Sequence, residues 1–124
     1  MRLVRRVPPG RRAVTRQALG FSFLDELVFD GLDWWELIDP AFGDEQPAAA
    51  LVAVQPGGKV VRLIGVLAPG GRSDFAVQVL TALVDALRAT PARMLLAAPS
   101  AHGEELLRLA GFGPFEDGSY AVEL

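Results

Sequence analysis

The sequence predicts a single α/β domain spanning residues 1–124, built as a mixed sheet flanked by helices. Three observations carry that reading. β-rich runs at 60–68 and 93–98 enclose a helical pattern at 73–90, and a strand–helix–strand unit requires a crossover, hence a parallel strand pair. Turn signals at 55–59 and at Asp117-Gly118 each lie between two apolar runs, which adds antiparallel hairpins. A length of 124 residues fits one core, and 51% hydrophobic against 22% charged residues is too apolar for a disordered chain.

Taken in order, residues 3–7 alternate enough for an edge strand, which Pro8-Pro9-Gly10 ends. A helix follows, with Val14, Ala18 and Leu19 among its apolar positions and Gly20 as its stop. Ser22 with Asp25, and Asp33 with Glu36, match the capping-box spacing and predict two short helices separated by Gly31, the second ended by Pro40. Residues 43–49 read as a loop. Strands at 50–54 and 60–68 are β-branched and aliphatic, joined by Gln55-Pro56-Gly57-Gly58-Lys59. From 73 to 90, Ala76, Leu80, Leu83, Val84 and Leu87 recur on one helical face, with Ser73 as cap and Pro91 beyond the end. Residues 93–98 read as a buried strand and 101–110 as a helix closed by Gly111. Residues 112–115 and 120–124 complete a hairpin about Asp117-Gly118.

Composition excludes several chemistries. There is no cysteine, so disulfides, thiolate zinc sites, iron–sulfur clusters and a catalytic thiol are ruled out, and one histidine, His102, cannot make a multi-histidine metal site. No apolar run approaches the roughly 20 residues that span a bilayer, and the arginine-rich start lacks the apolar region of a secretory signal. A cytoplasmic protein is expected. Net charge is -3, yet Arg2, Arg5, Arg6, Arg11, Arg12 and Arg16 fall within the first sixteen positions, where there is no acid. Such an arm could bind nucleic acid. Its arginines fall in a strand and on the polar side of a helix, however, so pairing with the chain's own carboxylates is the expected role. Neither nucleic acid nor a membrane is an expected partner.

The order of elements, with Leu67-Ala68-Pro69-Gly70-Gly71-Arg72 opening the long helix and Leu106-Leu107-Arg108-Leu109-Ala110-Gly111-Phe112 closing the last one, resembles the GNAT superfamily of acyl-CoA-dependent N-acetyltransferases. The similarity runs over nearly the whole chain: Arg5-Arg6-Val7-Pro8-Pro9-Gly10 is similar to the family's first strand and turn, and Tyr120-Ala121-Val122-Glu123-Leu124 to its terminal hairpin. The resemblance implies a GNAT-like mixed sheet flanked by helices and acetyl-CoA or another acyl-CoA as cofactor, with no metal. It places cofactor binding at Leu67, Gly70, Gly71, Arg72, Ser73 and Asp74, where backbone N–H groups and a helix dipole face the pyrophosphate.

The chain departs from the family pattern in four places. Ser73, Phe75 and Val77 stand where the family places glycines, and Asp74 brings negative charge beside the pyrophosphate position. Leu107 stands where many members have a proton-donating tyrosine, and Ser100 where an asparagine is common. The strand at 60–68 holds no Asp or Glu to serve as a general base. Only one strand follows Pro56 before Pro69, which predicts a shortened sheet. No catalytic residue is assigned.

Between Phe21 and Phe42 the chain concentrates both tryptophans and six acids. In the resembled family this region helps to form the acceptor side of the cleft, so Asp30, Asp33, Trp34, Trp35 and Glu36 are the candidate substrate-binding residues for a cationic amine. The alternative is an amphipathic pair of helices burying aromatics and solvating acids. Adjacent Trp34 and Trp35 cannot both face inward, and one of them can anchor a partner, so a homodimer or a protein partner is expected. Ser100-Ala101-His102-Gly103-Glu104 lacks a nucleophile-elbow pattern and reads as a capping serine with a surface histidine. Two functions follow: an acyl-CoA-dependent N-acyltransferase for a small or peptidyl amine, or a non-catalytic GNAT-like binding or accessory module. Different chemistry on the same scaffold is a third.

Overall fold

The computed structural model describes residues 3–7, 32–39, 41, 48–68, 72–98 and 104–124. These form strands β1 (Leu3–Arg6), β2 (Asp33–Ile38), β3 (Ala50–Gln55) and β4 (Val60–Leu67), helix α1 (Ser73–Leu87), strand β5 (Met94–Ala97), helix α2 (Glu104–Leu109), strand β6 (Gly113–Pro114), a 3₁₀ turn (Glu116–Gly118) and strand β7 (Tyr120–Glu123). The strands make one mixed sheet in the order β1-β2-β3-β4-β5-β7-β6. Only β4 and β5 run parallel, joined by the α1 crossover, as the strand–helix–strand pattern predicts.

Register assigns each side chain to a face. Val4, Trp35, Leu37, Ala50, Val52, Val54, Val61, Leu63, Leu95, Ala97 and Tyr120 share one face through their pairings and form the core with Val79, Leu80, Leu83, Val84 and Leu87 of α1. The helical spacing predicts all of that inward face except Val79. Leu80 and Leu83 are completely buried. Each contributes about 1.5 to 3 kcal/mol by leaving water. On the opposite face, Leu51, Ala53 and Glu36 are also buried.

Three expectations are corrected. The capping-box spacing at Asp33 and Glu36 does not mark a helix: residues 33–38 are the strand β2, paired with β1 on one side and β3 on the other. Two ladders of hydrogen bonds and an aromatic, aliphatic sequence outweigh a local capping pattern. The sheet is not shortened, because β2 supplies the additional strand. Nor does Ser73 cap α1; Arg72 is the N-cap residue and makes no side-chain capping bond. Two turns match expectation: Gly111 closes α2 with φ +96°, and Asp117 and Gly118 both take positive φ (56° and 76°) in the terminal hairpin. The helix expected between Gly10 and Gly20, that at Ser22 with Asp25, and residues 101–103 lie outside the described residues. Among the described residues no helix is long and apolar enough to cross a membrane.

Candidate functional site

The site begins where β4 leaves β5. Their ladder runs from Val60–Met94 to Leu63–Ala97 and stops, while β4 continues to Leu67 paired only with β3. Between the pairs Ala53–Gly65 and Val54–Leu63, β4 holds one extra residue, Ile64. A bulge bends its strand and increases local twist, so it belongs where a ladder must end. Among the described residues, no strand pairs with 64–67 on the β5 side, which leaves backbone polar groups there for a ligand.

A cleft of about 480 Å3 opens at this parting, on the face away from α1. Gln55, Arg62 and Leu96 line it from the sheet, Ile64 and Ala98 from the parting, and Phe115, Glu116, Asp117 and Ser119 from the β6–β7 connection. Ile64 and Phe115 are unusually exposed for large apolar side chains, at 46% and 43%. Among the described residues Arg62 makes no ion pair, so its charge and those of Glu116 and Asp117 stand unpaired in the cleft. Strand alternation explains the contrast along β4: Val61 and Leu63 point into the core, and Arg62 points out.

The start of α1 stands at the same end of the sheet, because it follows β4. There Arg72 donates from Nε and Nη2 to the two carboxylate oxygens of Asp74, at 3.0 and 2.8 Å. Its guanidinium also lies 3.9 Å from the centroid of the Phe75 ring. The hydrogen bond from Arg72 is the main reason that the Asp74 carboxyl is held below the usual carboxylate range, with smaller help from the N–H groups of Phe75 and Asp74 itself. The Arg72 guanidinium is correspondingly raised by the same bond. An internal carboxylate thus takes the arginine fork at the start of α1, as an anionic ligand would.

The residues expected to bind cofactor are therefore only partly in view. Arg72, Ser73 and Asp74 stand together and exposed at the α1 start, the Leu67 backbone ends β4, and Gly70 and Gly71 lie outside the described residues. The residues expected to bind substrate are spread over both faces of β2. Asp33 pairs with Arg6 at 3.6 Å, and Trp35 sits in the core with Arg6 5.2 Å above its ring. Trp34 is half-buried on the other face beside the completely buried Glu36, which accepts from Arg5 Nε at 3.1 Å. Arg5 and Arg6 thus do pair with the chain's own carboxylates. None of these four β2 residues lines the cleft, and Asp30 lies outside the described residues, as do Ser100 and His102. Leu107 is buried in the core beside α1. Sequence reasoning missed Arg62, Ile64, Phe115, Glu116 and Asp117. Their signal was an arginine and an isoleucine outside the buried alternation of a strand, and acids in a turn beside an exposed Phe115. Among the described residues no group of three or more His, Asp or Glu is placed to hold a metal ion.

No protein-family profile and no curated protein matches the chain. Solved structures do resemble it. The IAA acetyltransferase of Bacillus cereus superposes with a TM-score of 0.70 at 11% identity over 100% of each chain. A GNAT family acetyltransferase of Brucella melitensis in complex with acetyl-CoA gives 0.69 at 13% identity, over 100% of this chain and 88% of that one. The ribosomal-protein-S18-alanine N-acetyltransferase of Escherichia coli gives 0.63 at 15%, over 99% and 94%. Sheet order, the single parallel pair and these superpositions lead to one conclusion: the chain has the GNAT acetyltransferase fold.

Proposed function

We propose that the chain is an acyl-CoA-dependent N-acyltransferase acting on a small or peptidyl amine. One observation carries the reading: β4 parts from β5 at Leu63–Ala97 beside a charged cleft. The Asp74 carboxylate, held by the Arg72 guanidinium at the α1 start, supports the reading that a phosphate-type anion takes that place. Arg72, Ser73 and the backbone from Leu67 would hold the acyl-CoA, with Asp74 swinging away. When bound, that group supplies an acyl thioester, activated toward attack by an amine.

The chain's own contribution is positioning and charge. Backbone N–H groups of 64–67 that no strand among the described residues takes up are donors for an acyl carbonyl, and donors fixed before reaction need no reorganisation as negative charge develops. Glu116 and Asp117 attract a cationic amine to the cleft and accept its proton through water. Leu107 can take no part in proton transfer.

Calorimetry with acetyl-CoA and coenzyme A tests the reading. Binding to the parent should weaken about tenfold in Arg72→Ala, the value of one charge-assisted contact. It should strengthen by a similar factor in Asp74→Asn, which removes the competing carboxylate. The same carboxylate favours a second reading, a binding or accessory module acting with a second copy or another protein. Failure of both the parent and Asp74→Asn to bind would leave that reading standing and overturn the first.

A further inference from the structure

We infer that the acceptor taken by the cleft is a free amino acid with an apolar side chain, its carboxylate held by Arg62 and its ammonium by Glu116 and Asp117; this rests on the acyltransferase reading for the fate of the amine. Charge is divided within the cleft. Arg62 and Gln55 occupy adjacent strands one level below the parting, since Gln55 pairs with Arg62 and Arg62 with Leu96. The acids lie in the turn before Tyr120, whose partner Ala97 ends the β4–β5 ladder, so they stand at the level of the parting itself. A cation is therefore favoured beside the gap and an anion one level deeper. That is the order of charges on an amino acid whose nitrogen faces the gap.

The apolar lining fits the remainder of such a ligand. Ile64, Leu96 and Phe115 give the cleft a surface on which an aliphatic or aromatic side chain can rest. Arg62 is the specificity residue, because a planar guanidinium matches a carboxylate through two parallel bonds and a neutral amide does not. An amine without a carboxylate would leave Arg62 unanswered.

The test uses L-leucine and L-phenylalanine as probes, with leucinamide and N-acetyl-leucine as controls lacking one charge each. Dissociation constants are read from amide chemical shifts of the whole chain, with and without coenzyme A. Leucine and phenylalanine should bind, and both controls should bind about tenfold more weakly or worse. In Arg62→Gln the preference for leucine over leucinamide should vanish, and in a Glu116→Gln, Asp117→Asn double variant the preference over N-acetyl-leucine should vanish. Both variants should keep the parent's melting temperature, as the altered groups are exposed. Equal binding of leucine and leucinamide by the parent, an unchanged ratio in Arg62→Gln, or no binding of either amino acid overturns the inference. Release of thiol from acetyl-CoA is followed in parallel with the amino acids and with simple alkylamines. Transfer to alkylamines alone sinks the amino-acid inference and leaves the transferase reading; amino-acid binding without any transfer does the reverse.

Discussion

The two faces of the sheet at β4 are built from the same strand and do opposite work. Toward α1, Val61 and Leu63 meet Leu95 and Ala97 in a closed apolar layer. Away from α1, Arg62 and Ile64 stand in an open cleft with Glu116 and Asp117. Period-two alternation alone separates them. The closed face answers to packing, where almost any side chain must be apolar; the open face carries charges that packing does not require, which is why the proposed site is placed there.

The largest effect should come from breaking the closed face. Leu83→Asp puts an unpaired carboxylate at a completely buried position and should cost about 4 kcal/mol or more, enough to unfold a marginal domain. Arg62→Gln, on the open face, should stay within about 0.5 kcal/mol of the parent. Urea melts of the two would show whether the division is real: similar losses would mean that the faces are not distinct. Next comes Glu36→Ala, which removes a completely buried carboxylate on the same side of the sheet as the cleft. Breaking a buried pair costs about 3 to 5 kcal/mol, and the one-third exposure of Arg5 discounts this to roughly 2. A loss below half of that in the same melts would show that Arg5 is satisfied without Glu36.

A smaller effect is expected at Trp35. Its indole N–H is buried with no hydrogen-bond partner among the described residues. Trp35→Phe deletes an unanswered donor together with some apolar area, and the two changes oppose each other. A net loss of about 1 kcal/mol should result. A gain in melting temperature would mean that the orphaned donor outweighs the lost packing.

The difference between the faces also explains what could be read from the sequence. The α1 face was legible because Ala76, Leu80, Leu83, Val84 and Leu87 repeat at a period that only a helix satisfies. The terminal turn was legible because Asp117-Gly118 supplies two residues that tolerate positive φ. Strand β2 was not, since Asp33 and Glu36 imitate a capping box and the ladders that overrule it come from partners distant in sequence. The clustering of aromatics and acids around β2 points to an acceptor wall there, whereas the cleft residues come from β3, β4, β5 and the last hairpin. Arg62 and Glu116 share no local pattern; only the ladder order β4-β5-β7 brings them to one cleft.

The smallest effect on stability, and the most direct view of the proposed anion site, lies in the titration of Asp74. Its folded-state midpoint is depressed relative to the unfolded value of about 3.9, so the Arg72–Asp74 pair contributes stability above that pH and loses it as pH falls through the folded midpoint. Both side chains are more than half exposed, so water and salt screen the pair and melting near neutral pH should barely change when it is cut. The midpoint itself should respond clearly. In Arg72→Ala the largest cause of the depression is gone, and the Asp74 carboxyl should titrate closer to its ordinary range, as read from its side-chain carbon shift across an acid titration. If the midpoint stays depressed, the α1 amides and not Arg72 hold the carboxylate. The anion site would then belong to the helix start alone, and a pyrophosphate would have to displace Asp74 from those amides rather than compete for the guanidinium.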